Sequence, residues 1–106
     1  MTPFDKEGRY ESKFARDEEL QFKSTARRNK LLGLWAAEKL GKTGDDAPAY
    51  AREVIRADMQ EAGDEDVFRK IRADFDAAGV AQSDHQIRRT MDEMMAEAIM
   101  QVEAGN

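Results

Sequence analysis

Gly41-Lys42-Thr43 resembles the end of a phosphate-binding loop, where backbone N–H groups and a lysine cradle an anion. That loop needs a glycine five residues earlier and a strand leading into it. Ala36 stands at the earlier position, and the residues before Gly41 have helical spacing, so the sequence argues against a P-loop. A looser nucleotide contact through Lys42, Thr43 or nearby residues stays open. His85, the single histidine, lies beside Asp84 in a helix start. A surface or capping role suits it better than ligation, because a metal ion needs several convergent ligands. Asp64-Glu65-Asp66 lacks calcium-loop spacing and reads as the acidic first turn of a helix. Met91, Met94, Met95 and Met100 could form a soft groove for a partner, but such a stripe is more often core. No nucleophile–base pair and no recognisable carboxylate pair is present. The expectation is therefore a protein that is not an enzyme, with no catalytic residues, no metal ligands and no required cofactor.

These residues sit on four helical segments. The first is centred on Arg28 to Gly41, where Leu31, Leu32, Leu34, Trp35, Ala36 and Leu40 recur at helical spacing. Trp35, the only tryptophan, is the expected anchor of the core. Gly33 lies inside this run, where glycine costs about 1 kcal/mol against alanine, so close approach of a neighbouring helix is its expected reason. Gly41 and Gly44 break the chain, and Asp45 or Asp46 is placed to cap a second helix running to about Glu61. Its stripe is Ala47, Tyr50, Ala51, Val54, Ile55, Met59 and Ala62. Gly63 ends it, and Asp64 is the expected cap of a third helix with Val67, Phe68, Ile71, Phe75 and Ala78 on one face. Gly79 ends that helix, and Ser83 with Gln86 forms a capping box for a fourth. The fourth carries Ile87, Met91, Met94, Met95, Ala98, Ile99 and Val102. The predicted fold is all-α: a four-helix bundle with an overlong first helix and a mobile N-terminal arm.

The chain of 106 residues fits one small domain, and 41% hydrophobic residues provide a modest core. It has no cysteine, which excludes disulfides and thiolate metal sites and suits a reducing compartment. No apolar run approaches the roughly 20 residues of a membrane span. The first residues form no apolar signal region. A soluble, cytoplasmic protein without direct membrane insertion is expected. Residues 1–30 hold 8 basic and 6 acidic residues, net +2, and residues 31–106 hold 9 basic and 16 acidic, net −7. An acidic body argues against nucleic acid as a partner, since phosphate binding needs a basic surface.

From Phe4 to Leu40 no proline interrupts a helix that would be about 55 Å long, whereas the second and third would be about 23 Å and the fourth about 30 Å. Thr2-Pro3 is a fair start for it. Gly8 lowers helix propensity, and the apolar residues before Arg28 make no continuous face, so residues 1–20 are expected to fray in the free, monomeric protein and residues 21–106 to form the bundle. In that arm Lys6, Arg9, Lys13 and Arg16 share one face, and Glu7, Glu11 and Glu18 the opposite one, flanked by Phe4, Tyr10 and Phe14. Such a pattern is usually a solvated helix face. The less common reading is a helix that lies in a crevice between two subunits.

The run Phe14-Ala15-Arg16-Asp17-Glu18-Glu19-Leu20-Gln21-Phe22-Lys23, followed by Ala26-Arg27-Arg28-Asn29-Lys30-Leu31-Leu32-Gly33-Leu34-Trp35-Ala36-Ala37, resembles the zeta subunit family of alphaproteobacterial F-type ATP synthases. Gly41 to Ala47 with Tyr50-Ala51, and Gly63 to Lys70, resemble it too, so the likeness covers nearly the whole chain. It implies a four-helix bundle whose N-terminal segment enters a catalytic interface between alpha and beta subunits and meets the gamma shaft. Hydrolysis of ATP is blocked more than its synthesis. Carried over, the inhibitory segment is about Thr2 to Leu20, with Phe4, Tyr10, Glu11, Phe14, Asp17 and Glu18 as its contacts. The protein would then lie peripheral to the membrane through the ATP synthase. The family also suggests weak ATP or ADP binding through the bundle, which leaves as alternative a helical nucleotide sensor with weak or no inhibition. A helical adaptor for another complex is a third reading.

Overall fold

The structure is a computed structural model. It describes residues 3–58 and 63–105, with side chains from Asp17 onward. Four helices follow in order: α1 (Pro3–Lys39), α2 (Asp46–Ala57), α3 (Glu65–Ala78) and α4 (Asp84–Glu103). The all-α fold and the long first helix are as expected: α1 has 37 residues against 12, 14 and 20 in the others. The molecule measures 62 × 25 × 21 Å, and its long dimension follows from the length of α1. The expected Thr2 cap, and Met59 and Ala62 of the second stripe, lie outside the described residues. So do the side chains of residues 3–16, most of the arm expected to fray.

The helix ends follow from local chemistry. Gly41 (φ 77°) and Gly79 (φ 69°) take the left-handed conformation that other residues avoid. At each, two N–H groups fold back on the last turn. Lys42 and Gly41 donate to the carbonyls of Ala37 and Glu38 at 2.9 and 3.1 Å, and Val80 and Gly79 donate to Phe75 and Asp76 at 2.9 and 3.3 Å. This is the Schellman pattern. The Gly-Lys-Thr triplet is thus a helix stop, with the Gly41 and Lys42 N–H groups already engaged by α1. Ser83 and Gln86 form the expected capping box, with bonds of 3.1 and 2.8 Å. Asp45 and Asp64 occupy the cap positions of α2 and α3, but neither side chain makes the cap bond. Asp64 departs from expectation because its carboxylate is taken by Arg28.

Leu32, Ala36 and Ala37 of α1 meet Tyr50, Val54, Val67, Phe68, Ile71, Phe75, Ile87 and Met91 in one buried cluster. Phe75, Leu32 and Ile71 are its largest fully buried apolar side chains. Trp35 is not the centre: it is half-buried and meets Phe75 edge-on, with ring centroids 5.6 Å apart. Gly33 has the expected reason. A Cβ there would lie 2.6 Å from Ala51 Cα, so α1 and α2 touch backbone to backbone. Met91 is core and Met94 packs against it, whereas Met100 is exposed, so the methionines form no single groove.

Candidate partner interface

Asp17 and Glu18 are exposed on α1. Phe4, Tyr10, Glu11 and Phe14 fall on α1 among the residues whose side chains lie outside the description. The structure therefore places two of the six expected contact residues in water and leaves the other four untested. Next to them Glu19 pairs with Lys23 at 2.8 Å, one helical turn on, and this hydrogen bond holds the exposed Glu19 carboxyl below its ordinary range. α4 meets α1 as far back as Asp17. There Asp17, Leu20, Gln21 and Ser24 line a mostly apolar groove of about 260 Å³ with Met95 and Ile99. Ser24 Oγ is buried at this groove without a hydrogen-bond partner.

Where α1 enters the bundle it is fixed by polar residues that periodicity did not single out. Arg28 is 1% exposed and Asn29 1%. Arg28 Nε donates to Asn29 Oδ1 at 2.7 Å, and a terminal nitrogen of Arg28 donates to Asp64 Oδ1 at 2.9 Å. That bond keeps the Asp64 carboxyl below its ordinary range. Beside it Arg88 pairs with Glu65 at 3.0 Å and lies 4.0 Å above the Phe68 ring, so α3 and α4 are tied at the same level. The bond to Arg88 likewise holds Glu65 low. A buried arginine is legible in sequence only as a charge interrupting an apolar stripe, and it gives no sign of which carboxylate answers it.

A second cluster surrounds the residues that suggested nucleotide binding. Tyr50, 3% exposed, donates its hydroxyl to Asp74 at 2.7 Å. Burial first, and then this bond to a carboxylate, raise the phenol far above its ordinary value. Lys42 and Lys70 lie 5.6 and 5.0 Å from the centre of its ring. With Glu53 and Asp74 they line a hollow of about 320 Å³. Lys70 is held there by Asp74 at 2.9 Å and Glu53 at 3.7 Å. His85 is exposed in the first turn of α4. Among the described residues no group of three or more histidine or acidic side chains is placed to hold a metal ion, and no helix is long and apolar enough to cross a membrane.

The same architecture occurs in a protein known from its solution NMR structure. It is 48% identical, with a TM-score of 0.73, and the match covers 82% of this chain and 99% of that one. No curated protein matches the chain. The sequence model for the family described as ATPase inhibitor subunit zeta matches residues 1–101. That span runs from before the first turn of α1 to the last turn of α4 and includes the long helix, the Schellman stop at Gly41 and the Arg28–Asp64 tie, and the chain belongs to this family.

Proposed function

We propose that the chain inhibits ATP hydrolysis by the F-type ATP synthase by inserting residues 1–20 into a catalytic interface between alpha and beta subunits, where they also meet the gamma shaft. Family membership carries the inhibitor role and implies association with the F-type ATPase. The insertion is supported by one observation above the others: α1 is 37 residues long, while the longest helix beside it has 20. A helix that outruns its neighbours by more than a dozen residues has no matching surface in its own chain. On this reading Phe4, Tyr10, Glu11, Phe14, Asp17 and Glu18 face the partner, and the block is steric. The protein is a regulator without chemistry of its own, peripheral to the membrane through its partner.

Deleting residues 2–20 tests this. The truncated protein keeps the cluster around Leu32 and Phe75, so its melting temperature should fall only slightly, while inhibition of the cognate ATPase should vanish. Inhibition equal to that of the full chain would overturn the assignment.

The hollow beside Tyr50 favours a second reading, weak ATP or ADP binding, because two lysines flank an aromatic ring there. Titration of either nucleotide should then shift the backbone resonances of Lys42, Tyr50 and Lys70. Unmoved resonances at millimolar nucleotide would remove it.

A further inference from the structure

Phe22 is 77% exposed, an unusual position for phenylalanine on a helix that has an apolar cluster available to it. It stands at a concavity of about 610 Å³ between α1, Ile55 of α2 and Val102 near the end of α4. The α1 side of this concavity is basic. Lys23, Arg27 and Lys30, spaced 4 and 3 residues apart, share one helix face. Two of them are steadied from within: Lys23 by Glu19, and Arg27 by Gln101, to which it donates at 2.8 Å. Lys30 is exposed. This basic face stands out, because residues 31–106 are net −7.

The face also continues toward the arm. Arg16 lies seven residues before Lys23, two turns of helix within about 20°. Lys6, Arg9, Lys13 and Arg16 therefore share the helix side of Lys23, Arg27 and Lys30. Seven basic positions then follow one side of α1 for about 36 Å. The first four belong to the arm and the last three to the bundle.

We propose that the concavity bearing Phe22, Lys23, Arg27 and Lys30 is a second docking surface, which receives an acidic protein segment with an apolar anchor on the outer surface of the ATPase. The proposal rests on the inhibitor reading above and deepens it: the arm blocks, and this face holds. Charge complementarity selects an acidic partner. The hollow selects a protein segment, because an apolar side chain fills a concavity that a flat lipid surface would leave open. Continuity along α1 places the face next to the site the arm enters. Phe22 in water is then a contact awaiting its partner, as aromatic anchors at interface centres are.

The test uses the full chain and its cognate F-type ATPase. Phe22→Ala, Lys30→Glu and the double variant are compared with the unmodified protein for half-inhibiting concentration, maximal inhibition and melting temperature. Both positions are exposed, so melting should be unchanged; Phe22→Ser with Lys30→Gln is a second pair should one variant fold poorly. The double variant should need about tenfold more protein for half inhibition while reaching the same maximum. Lys30→Glu should mainly slow association, and the difference should shrink in high salt. An unchanged half-inhibiting concentration, with inhibition still dependent on the arm, would overturn the docking surface and leave the inhibitor reading intact. If the unmodified protein failed to inhibit, the inhibitor reading would fall, and direct binding to the ATPase would decide this one: binding lost in the double variant supports the surface, and binding absent or unaltered overturns it. Binding to anionic lipid vesicles, or self-association, that these substitutions abolish would assign the face to another occupant and overturn it as well.

Discussion

Arg28 sets the electrostatics at the residue scale. A fully buried guanidinium is stable only while its acceptors remain, and the charged one is Asp64, half in water. Asp64→Asn should therefore destabilise the fold by about 1–3 kcal/mol in urea titrations at neutral pH. The pH dependence has a definite sign. Asp64 and Glu65 are both held below their ordinary values by hydrogen bonds from Arg28 and Arg88. Their stabilisation is present above the unfolded carboxylate range, about pH 4, and is lost as pH falls through the lower folded values. Unfolding measured at pH 7 and pH 3 should show a smaller penalty for Asp64→Asn at the second than at the first. Trp35→Ala should cost about 2–3 kcal/mol, at the low end for a large aromatic, because Trp35 packs at the edge of the core and keeps part of its surface in water. The one tryptophan looked like the natural centre because size and rarity are visible in a sequence. Which side of the helix faces the middle of the bundle is settled by neighbours such as Ala51, and that gives the centre to Phe75.

Among the elements, the contact of α1 with α2 is the closest. Gly33→Ala would add helix propensity, yet its Cβ would press on Ala51 Cα at 2.6 Å, a backbone atom that cannot turn aside. The net effect should be a loss of about 1–3 kcal/mol, read as a lower urea midpoint. Ser83→Ala should cost about 1 kcal/mol by removing half of the capping box. Much of this level was legible: apolar spacing located α2, α3 and α4, Gly79 marked the end of α3, and the Ser83–Gln86 pair was readable from spacing alone, whereas α2 ends at Ala57 with Asp58 as its cap, short of the expected stop at Gly63. The acidic caps were not. Asp45 and Asp64 are good cap types, but both hold helical rather than extended backbone angles and make no cap bond, and the bond from Arg28 to Asp64 comes from 36 positions away.

For the whole molecule, the division of labour between arm and bundle predicts separable variants. Glu11→Lys with Glu18→Lys should weaken inhibition of ATP hydrolysis several-fold without altering the melting temperature, since Glu18 is exposed. Loss of thermal stability in that variant would mean that the acidic side serves the fold. The unequal helix lengths were legible from a proline-free stretch, and they carried the functional reading. All six contact residues were named through family likeness, and four of them have only their place on the helix to support them.

Because α1 is one helix from Pro3 to Lys39, the arm and the bundle share a single rotational phase. One alanine inserted after Leu20 would turn everything before it by about 100° and advance it by about 1.5 Å, while adding no charge and removing none. Seven inserted residues would restore the angle to within about 20° but lengthen the reach by about 10 Å. If the partner reads both ends of α1, the single insertion should impair inhibition through misalignment alone. The seven-residue insertion should impair it through distance alone. An inhibitor whose two ends worked independently would tolerate the first without change.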